Sequence, residues 1–78
     1  MVMTQTESRA LHPSLSTLAT LEAMALLASQ TASVIHVVVP REPGVVDTAR
    51  RLAHQAGIEL SVDLLPRTAR VRFDGRLS

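Results

Sequence analysis

Cysteine is missing from this 78-residue chain. That removes disulfides, a thiolate nucleophile and any cysteine-lined metal cage. Tryptophan and tyrosine are missing too, and Phe73 is the single aromatic residue. A chain so poor in rings offers no row of side chains on which single-stranded bases stack. Lysine is also absent, so all eight basic residues are arginine, a bias that GC-rich coding produces as readily as arginine chemistry does. No apolar run approaches the ~18–20 residues that cross a bilayer. Residues 1–10 carry Glu7 and lack the apolar centre of a signal peptide. A soluble, cytoplasmic protein is the expectation. The net charge of +1 is too small to imply a polyanionic partner by itself.

What is present is aliphatic. Apolar residues make up 46% of the chain, chiefly Leu, Val and Ala. This length suits one small domain, near the lower limit for a core without disulfide or metal support. Oligomerisation is the support that remains.

Residues 1–12 are mostly polar and without helical period, which predicts a flexible segment or a short edge strand. Residues 13–78 then form a single small α/β domain. A first helix is expected over 13–29, with Pro13 in its first turn and Ser14 or Ser16 accepting from an early N–H. Leu15, Leu18, Glu22, Ala25, Leu26 and Ser29 share one side, Leu21, Met24 and Ala28 an adjoining side, and Leu27 lies beyond both. Such a helix has more apolar surface than one neighbour covers. At positions 34–39 five of six residues are β-branched and apolar, the signature of a central strand covered on both faces. Pro40 ends it.

A second helix over 43–56 carries the stripe Val45, Ala49, Leu52, Ala53 and Ala56, with Asp47 and Arg51 paired on its wet side and Gly57 as its left-handed stop. Alternation then gives a strand over 58–64 and a hairpin partner over 69–73. The expected fold is α/β, an α+β two-layer sandwich of order (β)-α-β-α-β-β. Its sheet is mixed and both helices lie on one face.

Four groups of residues are candidates for chemistry. His36 shares a strand face with Val34 and Val38, which predicts a buried histidine acting as a switch or, more simply, bonded within a sheet or interface. Arg41, Gly44 and Val45 sit where a strand end meets a helix start and could hold an anion, although Pro43 removes a donor and Glu42 and Asp47 already sit at that end. Arg67, Arg70, Arg72 and Arg76 make the C-terminal stretch basic and could contact phosphates, or could simply protect a solvated edge. His12 and His54 form no close-spaced ligand pair, so no metal is expected, and no cofactor.

In size and order of elements the chain resembles the TusA-type sulfur-carrier family. Leu11, His12 and Pro13 stand where that family has its Cys-Pro before the first helix. His12 replaces the sulfur-bearing cysteine, so persulfide chemistry does not carry over. Glu22, the run Thr48-Ala49-Arg50-Arg51-Leu52-Ala53, Ala56-Gly57-Ile58 and the closing hairpin are similar in spacing to the last segment of the formate dehydrogenase accessory sulfurtransferases, whose cysteine motif is absent here.

The residues therefore point to a small non-catalytic binding or regulatory protein that acts through protein–protein contacts as a homo-oligomer. A nucleic-acid-binding module using the C-terminal arginines is the alternative. A small enzyme or pH-responsive protein centred on His36 is a third.

Overall fold

The structure is a computed structural model that describes residues 12–76. The strand considered possible within 1–12 falls almost wholly outside them. Five elements follow in order: helix α1 (Leu15–Thr31), strand β1 (Val34–Pro40), helix α2 (Val45–Ala56), and strands β2 (Glu59–Leu64) and β3 (Thr68–Asp74). Both helices pack on one face of a three-stranded sheet, α1 over β1 and α2 over β2. The two-layer α/β arrangement is the one expected.

The strand order is β1-β3-β2 and both ladders are antiparallel. The expected mixed sheet is therefore corrected: β1 and β2 run parallel, but β3 separates them. Its core-facing residues Ala69, Val71 and Phe73 are fully buried, so the strand with the only ring occupies the centre. β1, read as central from its apolar run, has a strand on one side only among the described residues.

Ile35, Val37 and Val39 of β1 turn toward the helices. Val34, His36, Val38 and Pro40 turn toward the open face. The pairs Ser33–Gly75 and Arg41–Arg67 are hydrogen-bonded, at 2.9 and 3.1 Å, in the same ladder. Antiparallel pairs alternate, so the odd-numbered residues of β1 bond β3. The N–H and C=O groups of Val34, His36 and Val38 consequently point away from the sheet. Pro40 falls on that outer row, where a missing donor costs no ladder bond.

α1 begins at Ser14, whose hydroxyl accepts the Thr17 N–H at 3.4 Å. The Ser14 N–H donates to the Glu42 carboxylate at 2.9 Å, so a distant loop also caps this helix. Its inward stripe is Thr17, Leu21, Ala25 and Ala28. Leu21 and Ala28 come from the adjoining side of the expectation, and of the other side only Ala25 is buried. Small alanines bring the helix axis close to the sheet, and the bulkier Leu15 and Leu26 stay outside. α1 ends at Ala32, a non-glycine residue in the left-handed region at φ 50, with Ala32 and Ser33 N–H groups both bonding the Ala28 carbonyl.

α2 buries Val45, Thr48, Ala49 and Ala53, and Gly57 at φ 69 closes it while Ile58 N–H bonds the Ala53 carbonyl at 3.0 Å. That pattern satisfies the last carbonyls and tucks Ile58 into the core. The wet-side pair is Asp47 with Arg50 at 3.5 Å, three residues on, and not Arg51 as the four-residue spacing suggested.

Candidate functional site

The open sheet face is built in rows fixed by the register. His36 lies across from Arg72 and Arg72 from Ser61, while Val38 lies across from Arg70 and Arg70 from Asp63. His36, Ser61, Asp63, Arg70 and Arg72 of these rows line a shallow concavity of about 260 Å³. His36 is exposed, which corrects the expectation of burial. The reason is positional: β1 is an outer strand, and both helices sit on its opposite face. Sequence reasoning did not place Ser61 and Asp63 beside His36. Their alternation with Leu60 and Val62 marked them as outward, but only the β2–β3 register brings them into the row.

At one end of this face Asp74 holds the C-terminal turn. Its side chain is only 4% exposed. It accepts from Arg76 Nη2 at 2.9 Å, Arg76 Nε at 3.1 Å, the Arg76 N–H at 3.0 Å and Arg72 Nη2 at 3.3 Å. The Arg76 bonds, side chain first, bring the Asp74 carboxyl down from 3.8 to about 2 and push the Arg76 guanidinium up.

The four C-terminal arginines do not gather into one patch. Arg67 precedes β3 and Arg76 follows it, about 30 Å apart at strand rise. Among the described residues, the ion pairs these four make are those of Arg72 and Arg76 with Asp74. Glu59 and Asp63 share the face with Arg70 and Arg72, so its charge is nearly balanced.

Arg41, Gly44 and Val45 do come together, around a hollow of about 160 Å³ that Glu42 and Asp47 also line. Two of its donors are already engaged. The Val45 N–H bonds the Glu42 carbonyl at 3.2 Å, and Arg41 Nη1 bonds the Leu65 carbonyl at 3.1 Å. The Glu42 carboxylate turns to Ser14, whose N–H lowers its pKa. His12 and His54 lie apart on the surface, His12 ahead of α1 and His54 in the last turn of α2.

A second surface is apolar. Leu27 is 41% exposed and Val38 59%, whereas the exposed Leu26 lies with Glu22 on the other flank of α1, beside Leu52, Gln55 and Ala56 of α2. Glu22 is the only charged residue in the 17 residues of α1, and β1 has none besides the titratable His36. Among the described residues, the outer row of β1 and the flank of α1 above it therefore form one edge without a formal charge. The β2 edge, by contrast, carries Glu59 and Asp63.

No protein-family model matches the chain, and comparison with curated proteins and with solved structures returns no match. The fold and surfaces define it as a small two-layer α/β protein with one uncharged edge. No helix among the described residues is long and apolar enough to cross a membrane.

Proposed function

We propose that this protein is a non-catalytic binding or regulatory module of the cytoplasm that works through protein–protein contacts and associates with itself. The observation that carries the reading is the uncharged β1 and α1 surface with Leu27 and Val38 in water. Exposed apolar residues are ordinary singly, but Leu27 and Val38 lie on the two sides of one strand edge, and an uncovered apolar edge on so small a domain marks a contact surface. The mass in solution tests it. Light scattering across the micromolar range should give more than one chain per particle. A single chain at every concentration, with no captured protein partner, counts against the reading.

A second reading rests on the concavity of the open face, where Arg70 and Arg72 flank His36. Binding of RNA or DNA there would follow phosphate electrostatics and weaken steeply with salt. Replacing Arg70 and Arg72 together by alanine should then abolish low-salt binding, and no binding by the unaltered protein removes this reading. The nearby Asp63, Glu59 and Asp74 make it the weaker one.

A further inference from the structure

We infer that the edge of β1 left unpaired among the described residues pairs with β1 of a second copy, antiparallel about a two-fold axis at His36 or Val37. The inference rests on the self-association proposed above and names the surface that carries it.

The hydrogen-bonding pattern of the edge is the first support. Val34, His36 and Val38 present outward N–H groups that no described residue accepts, and these three residues with Pro40 present outward carbonyls. An antiparallel copy of the same strand matches that pattern. With the axis at His36, pairs 36–36 and 34–38 form; with the axis at Val37, pairs 36–38 and 34–40 form. In either case all three donors of each copy find carbonyls, and Pro40 is never asked to donate.

Charge supplies the second support. β1 presents no carboxylate to its partner, whereas pairing β1 with the β2 edge would set Glu59 and Asp63 beside an apolar strand. It would also run head to tail without closing. An exposed apolar edge of this kind is a template for strand addition unless it is covered.

The third support is the helix above the edge. Ser29 Oγ reaches the Ala56 carbonyl at 3.5 Å, so the Ser29 side of α1 faces α2. The opposite flank, with Thr20, Leu27 and Thr31, overhangs β1 and carries no charge. A strand of about 23 Å under a helix of about 25 Å, with layers ~10 Å apart, gives a contact near the low end for specific interfaces. A reversible, micromolar dimer fits that size.

Either axis sets the two His36 rings on the same open face, with Cα atoms about 5.5–8 Å apart. Arg72 faces each ring from β3, Arg70 adjoins it, and Asp63 of β2 is the carboxylate in the same concavity.

Sedimentation velocity on the full chain, from low to high micromolar concentration, tests the inference. A reversible dimer in that range supports it. So does a Val38→Lys protein that melts normally but stays monomeric. A particle that survives Val38→Lys and yields to Leu26→Lys overturns the edge pairing while leaving self-association through α1. A monomer throughout overturns both. Hydrogen exchange at the Val34, His36 and Val38 amides should slow as concentration rises. Protection independent of concentration overturns the inference.

Discussion

Gly75 and Gly57 show how differently the same residue type constrains the chain. A methyl group added at Gly75 would run into the backbone carbonyl of Ala28 at the end of α1. The Gly75 N–H also donates to the Ser33 carbonyl at 2.9 Å, which leaves little room to retreat. Gly75→Ala should therefore cost about 2–3 kcal/mol, as overpacking does. At Gly57 the space is open and the constraint is φ 69 alone, so Gly57→Ala should cost about 1 kcal/mol. Urea unfolding of the two variants checks the order. Asp74 gives a second residue-level expectation. Its folded pKa lies below the unfolded value, so its contribution is complete above about pH 4 and is lost as pH falls toward 2. The Glu42 carboxylate, also lowered, acts in the same direction. Melting temperatures from pH 5 to 2 should fall less steeply in Asp74→Asn than in the unaltered protein, from a lower starting value.

Among the elements, α1 is the least conventional. Its last turn closes on Ala32 in a left-handed conformation that a Cβ disfavours. Ala32→Gly should raise stability by about 0.5–1 kcal/mol, read from the denaturation midpoint. α2 was legible almost to the residue because Val45, Ala49 and Ala53 recur at helical spacing and Gly57 stops them. α1 was legible in extent but not in orientation. Leucines lie all around it, and only the sheet's preference for the Leu21, Ala25 and Ala28 side decides which of them stay outside. The β2–β3 hairpin could be read from alternation and Pro66, since both signals are local.

At the scale of the molecule the strand order was not legible, because pairing joins residues far apart. The apolar run 34–39 suggested a centre, and Arg70 with Arg72 suggested an edge; the sheet has them the other way round. Both arginines are accommodated centrally because no described element covers the open face. The same reversal brings His36 into water and leaves Val38 without an intramolecular use. If the uncharged edge binds another copy, unfolding is linked to dissociation, and the melting temperature should rise with protein concentration. Calorimetry at several concentrations measures this, and a constant midpoint argues for a lone chain.

The middle of the sheet is also its most C-terminal strand. β1 and β2 have no ladder with each other, so until the stretch around Phe73 has been synthesised neither has the neighbour it keeps in the finished protein. A nascent chain halted before Arg67 would hold helices and two unmatched strands. Such a chain is prone to sticking to its own kind, and a folding step that waits for β3 is the kinetic mark this topology should leave.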